Sequence, residues 1–110
     1  MESANDFCFL YSTFPDKDSA LKVAHALVDS QLAACVNIYP PMTSVYTWEG
    51  KREESTEIAA FIKTRRLLVH EAVTMAKPLH PYTLPCFLVL PIIGGSEDYL
   101  TWAWAQTKAG

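Results

Sequence analysis

The sequence predicts an α+β fold of order β-α-β-β-α-β, the split βαβ or ferredoxin-like arrangement, with an extra C-terminal helix. Three observations carry this reading. The apolar period switches repeatedly between two and about 3.6 residues along the chain. Proline or glycine falls at most of the switches. Two neighbouring β-type segments, residues 33–48 and 52–64, meet across Glu49-Gly50-Lys51 and so form a long β2-β3 hairpin. A length of 110 residues lies near the commonest domain size, so residues 1–110 are read as one domain.

FCFLYSTF (7–14) is short, aromatic and β-favouring, and Pro15 stops it. Asp16 then caps a helix in which Leu21, Ala24, Leu27 and Val28 recur at helical spacing. His25 lies one residue off that stripe and is read as solvated. AACVNIY (33–39) and TSVYTW (43–48) return to strand character on either side of Pro40-Pro41, a pair that marks a bulge or a sheet edge. STEIAAFIKT (55–64) alternates, with Thr56, Ile58, Ala60 and Ile62 on one face and Glu57 and Lys63 on the other. Glu49, Glu53, Glu54 and Glu57 read as a solvated face of the hairpin.

Thr64 is placed as the cap of a second helix with Leu68, Ala72, Met75 and Ala76 as its apolar stripe, His70 solvated, and an end near residue 77 set by Pro78. CFLVLPII (86–93) is one continuous apolar run, the pattern of a strand buried on both faces. Gly94-Gly95 break it, Ser96 is a candidate cap, and the last helix runs to about Thr107 with Tyr99, Leu100 and Ala103 inward.

The hairpin is too long for its domain. At about 3.3 Å per residue a 13-residue arm reaches about 43 Å, whereas a domain of this size is only about 35 Å across. The overhang carries Val45, Tyr46 and Trp48, poor choices for solvent. An apolar ribbon of this kind invites pairing with another chain, and Tyr46 and Trp48 are the residues expected at that contact. The alternative is a hairpin that bends back over its own domain.

Composition narrows the function. Half the residues are hydrophobic and the net charge is −3, with no basic cluster longer than Lys51-Arg52, so a nucleic-acid backbone is not the expected partner. No apolar run reaches the roughly 18 residues of a membrane span, and no basic region precedes the first apolar residues as in a secretory signal. Three scattered cysteines, Cys8, Cys35 and Cys86, fit free thiols in a cytoplasmic protein, with Cys8 and Cys35 as small buried hydrophobes. No G-x-S-x-G motif and no phosphate-binding glycine loop occurs, so no enzymatic activity is expected.

LAACVN (32–37), SVYTWEGK (44–51), IKT (62–64), HPY (80–82), LP (90–91) and DYLTW (98–102) resemble, in order and spacing, the CutA divalent-cation-tolerance proteins. The resemblance spans about residues 7–105. It implies a ferredoxin-like fold, a homotrimer whose sheets continue between subunits, and a role in tolerance of copper and other divalent metals. At fold level the architecture also resembles the trimeric PII signal proteins, which bind nucleotides in clefts between subunits.

KPLHPYTLPCF (77–87) holds the candidate site. The family's metal positions fall on Ser12, Leu79, His80 and Cys86, and of these only His80 keeps the family's residue. Imidazole and thiolate suit copper or zinc, so His80 and Cys86 are the candidate metal ligands. Ser12 and Tyr82 are assigned to an inter-subunit cleft. The competing reading is structural: Pro78, Pro81 and Pro85 stiffen a helix-to-strand connection, and His80 hydrogen-bonds backbone there. Two functions stay open, a metal-binding trimer and a sensor or scaffold trimer that holds a small molecule or protein between subunits.

Overall fold

A computed structural model describes residues 4–109. The elements are β1 (Phe7–Phe14), α1 (Lys17–Asp29), β2 (Cys35–Ile38), β3 (Met42–Trp48), β4 (Lys51–Arg65), α2 (Val69–Ala76), β5 (Leu88–Pro91) and α3 (Glu97–Ala105), with short 3-10 turns at Ala4–Asp6, Arg66–Leu68 and Lys77–Leu79. The strands form one antiparallel sheet in the order β2-β4-β1-β5, with β3 also paired to β4. Three helices and an antiparallel sheet make the chain α+β.

Asp16 caps α1 as its type requires, accepting the Ser19 N–H at 2.8 Å. The buried stripe is Ala20, Val23, Ala24 and Leu27, while Val28 turns outward. Gln31 ends the helix at φ 61°, the left-handed position that lets Leu32 and Ala33 donate back to the Leu27 carbonyl.

The hairpin's first arm is two strands, not one. Ile38 faces Ala60 but Met42 faces Glu57, so three residues of one arm oppose two of the other. Pro40-Pro41 therefore sits in a one-residue bulge, where its missing N–H groups cost no ladder bond. At the tip, Glu49 and Gly50 have φ of 51° and 79°, the two positive angles of a type I′ hairpin turn.

The sheet has two unlike faces. Leu10 and Phe14 of β1 and Ile58, Ala60 and Ile62 of β4 point to the side covered by α1 and α2, where the main core lies. Phe9 and Tyr11 of β1, Phe61 of β4 and Tyr39 point the other way and pack ring against ring. At one end of this second face α3 closes over Phe7 and Ala34 through Ala103 and Trp104. Buried Arg65 fastens it, donating to the Thr107 hydroxyl at 2.7 Å and to the carbonyls of Trp104 and Thr107 at 2.9 and 2.8 Å, with its guanidinium 3.6 Å over the Trp104 ring.

Several sequence expectations change. Thr64 does not cap α2: it lies inside β4, fully buried, and its hydroxyl donates to the Leu32 carbonyl at 2.6 Å. Ser96 makes no side-chain cap bond, and Tyr99 is exposed while Ala103 is buried. Met75 is partly exposed, since Leu68, Ala72 and Ala76 already fill the groove against α1. Cys35 is only half-buried. The apolar run at 86–93 is not a strand covered on both faces. Its ordered part, β5, pairs with β1 alone and leaves Leu88, Val89 and Leu90 at 58, 50 and 39% exposure. An edge strand of one chain has no neighbour to cover it.

Candidate functional site

Residues 80–86 follow the 3-10 turn that ends α2 and run beside the hairpin, with Pro81 and Pro85 to stiffen them. Between this loop and the hairpin lies a cavity of about 420 Å³, lined by Tyr46, Trp48, Glu57, Tyr82, Leu84 and Cys86 together with Thr13, Pro81 and Thr83. Of the sequence-predicted site residues, the fold thus gathers Tyr46, Trp48, Tyr82 and Cys86. Ser12 is different. Even-numbered β1 residues face the helices, so Ser12 is fully buried in the core and cannot line a cleft between subunits.

His80 lies behind the cavity wall, 7% exposed. Its ring stacks on Phe14, with centroids 4.4 Å apart and planes at 17°, and meets Phe87 edge-on. The Tyr82 backbone N–H donates to Nδ1 at 3.2 Å. Because that N–H can only donate, Nδ1 holds the lone pair and Nε2 holds the proton. Nε2 then donates to the Thr13 carbonyl at 2.9 Å, with the Ser12 hydroxyl 3.3 Å away. Burial holds the His80 pKa below its ordinary value, against the opposing pull of the Thr13 bond and Glu57. The imidazole is neutral and both nitrogens are spent.

This geometry does not fit a metal centre built on His80 and Cys86. A ligating imidazole needs a free nitrogen lone pair, and the only one is committed to Tyr82. The Cys86 thiol is pushed up by burial and then by the Glu57 charge, which disfavours the thiolate a metal would need. Leu79 packs against the core. Among the described residues no group of three or more His, Cys, Asp and Glu is placed to hold an ion.

Glu57 is the residue that sequence reasoning misplaced. It is not part of a solvated face: it is 9% exposed and accepts the Tyr82 phenol at 2.8 Å. Its alternation was read correctly, opposite Ile58, but that second face is itself covered here by the 80–86 loop. The available signal was a lone carboxylate followed on the same face by Ala59 and Phe61. Its field reaches several neighbours: the Tyr82 phenol is raised by burial and then by Glu57, and Tyr11 by burial, then Cys86 and Glu57.

An antiparallel α+β protein with an acid-floored aromatic cleft is the class that fold and site define. Residues 8–106 match the family described as CutA1 divalent ion tolerance protein, and the chain belongs to that family. It is 41% identical over 103 residues to the divalent-cation tolerance protein CutA of Pectobacterium atrosepticum, covering 94% of both chains. It is 40% identical over 99 residues to the chloroplastic protein CutA of Arabidopsis thaliana, covering 90% of this chain and 54% of that one, so it spans about half of that relative. Among solved structures, CutA1 from Oryza sativa superposes with a TM-score of 0.92 at 37% identity, over 98% of this chain and all of that one.

Proposed function

We propose that the chain acts in divalent-cation tolerance as a homotrimer, and that the cleft around Glu57 and Tyr82 is its ligand site. The observation that carries the assembly is the uncovered apolar surface. Tyr39, Leu88 and Leu90 lie exposed beside Phe9, Tyr11 and Phe61 on one face, and Val45, Tyr46 and Trp48 are 59, 41 and 45% exposed along the hairpin. Such a surface is costly in water at roughly 25 cal/mol per Å², and the free β5 edge offers a ladder for a neighbouring chain. The strand order supports the ferredoxin-like reading, with β2 and β3 together as one strand.

A sensor or scaffold role suits the cleft better than copper ligation does, because the His80 nitrogens are committed and the cleft is open. The nucleotide-binding version of that role has little support, since no basic side chain lines the cavity. Three free cysteines favour a reducing compartment such as the cytoplasm. No helix among the described residues is long and apolar enough to cross a membrane.

Light scattering tests the assembly and should give three times the 12.3 kDa chain mass at micromolar concentration; a monomer mass would remove it. A thermal-shift screen of cationic, neutral and anionic small molecules tests the cleft. Ligands that stabilise the protein should act through Glu57 and Tyr82, and a screen without any stabilising ligand would remove that part.

A further inference from the structure

Taking the cleft as the ligand site, we infer that its ligand is a small organic cation, a protonated amine with an apolar body. The ammonium is held by Glu57, and the body rests on Tyr46, Trp48 and Tyr82.

The floor of the cleft carries an uncompensated negative charge. Glu57 is more than nine-tenths buried, yet the only hydrogen bond it receives among the described residues is the Tyr82 phenol on Oε2. Among the described residues no cation lies within ion-pair distance of it; the Lys108–Glu71 pair is elsewhere on the surface. Buried carboxylates are ordinarily matched by a positive partner or by several donors. Here one oxygen remains for a guest.

The walls select the kind of cation. Glu57 is the sole charged residue of the lining, so an anionic ligand meets repulsion and finds no positive group. Tyr46 and Trp48 line the cleft with part of their rings, leaving the exposed remainder to the neighbouring subunit. The lining faces carry quadrupoles that attract cations and area that suits an apolar body. A divalent ion wants several anionic or imidazole ligands, whereas the cleft supplies one carboxylate and a thiol pushed up by burial and by that carboxylate. At about 420 Å³ the cavity is within the usual range for small-molecule sites.

Three probes of one shape and different charge test this on the full chain: 2-phenylethylammonium, 2-phenylethanol and phenylacetate, with affinities from ligand-observed NMR titration. The ammonium should bind at least about tenfold more tightly than the alcohol, and phenylacetate should not bind measurably. Glu57→Gln, which can still accept from Tyr82, should weaken the ammonium by about tenfold and the alcohol by clearly less. The wild-type charge series stands even where that variant fails to fold. Equal binding of ammonium and alcohol would overturn the inference while leaving the cleft as a ligand site. Preferred binding of phenylacetate would do the same. Binding of none of the three would overturn the inference, and the wider screen would then decide the cleft, independently of the trimer mass.

Discussion

Replacing His80 with phenylalanine separates a structural histidine from a metal ligand. The ring shape is kept, so stacking on Phe14 at 4.4 Å survives and little cavity forms. What is lost is polar: the bond from Tyr82 N–H to Nδ1, the bond from Nε2 to the Thr13 carbonyl, and the Ser12 contact. Each net hydrogen bond contributes about 1 kcal/mol, and a buried donor left unpaired, here the Tyr82 N–H, costs about 1–3 kcal/mol. The expected loss is about 2–4 kcal/mol. His80→Ala should cost more, because truncation also leaves a void against Phe14 and Phe87. The assay is urea unfolding at fixed protein concentration, since an oligomer's midpoint depends on concentration, run with zinc or copper and with a chelator. Metal should give the wild type no stabilisation that vanishes in His80→Phe. A His80→Phe protein as stable as wild type that has lost tight metal binding would refute the reasoning, because it would show the ring nitrogens to be spare.

Three further outcomes follow from the geometry. Because burial depresses the folded pKa of His80, the unfolded chain takes up the proton first; stability is full above the unfolded value of about 6.5 and falls as pH drops below it, levelling past the folded pKa. Unfolding of wild type and His80→Phe across that range should therefore converge at acid pH, and a gap that widens would contradict a buried neutral imidazole. Trp48→Ala should weaken assembly more than Glu53→Ala, read as the dissociation midpoint by light scattering, with equal effects counting against the hairpin as interface. Arg65→Met should lower stability by about 2–4 kcal/mol through loss of its three bonds to the end of α3, with Trp104 fluorescence changing first; an unshifted urea midpoint would mean α3 is held by packing alone.

The element order was legible in the sequence because local signals agree with the fold along most of the chain. Asp16 caps where a carboxylate caps best, Pro78 follows the last turn of α2, and Pro40-Pro41 marks the bulge that the register confirms. The failures share a cause: each residue is decided by something distant in sequence. Thr64 looks like a cap until Leu32, 32 positions away, supplies its acceptor. Glu57 looks solvated until Tyr82, 25 positions on, closes over it. Period counting assigns a residue to a face but is silent on what covers that face.

The run at 86–93 shows the same limit from the other side. Its pattern calls for burial on both faces, and the folded chain leaves Leu88, Val89 and Leu90 half-open at a sheet edge. Local propensity and tertiary surroundings normally agree in a natural sequence, so a disagreement this large points to surroundings that lie outside one chain. The hairpin shows the same mismatch at its tip through Val45 and Trp48. Two apolar surfaces at opposite edges of one sheet are the condition for a head-to-tail contact, the edge of one copy meeting the hairpin of the next, and such a contact closes into a ring when the rotation between copies allows it. On this reasoning, disrupting either surface alone should dissociate the assembly as fully as disrupting both. Leu88→Lys and Trp48→Ala, compared singly and together by light scattering, test this. Additive partial losses would mean that the two surfaces serve separate contacts.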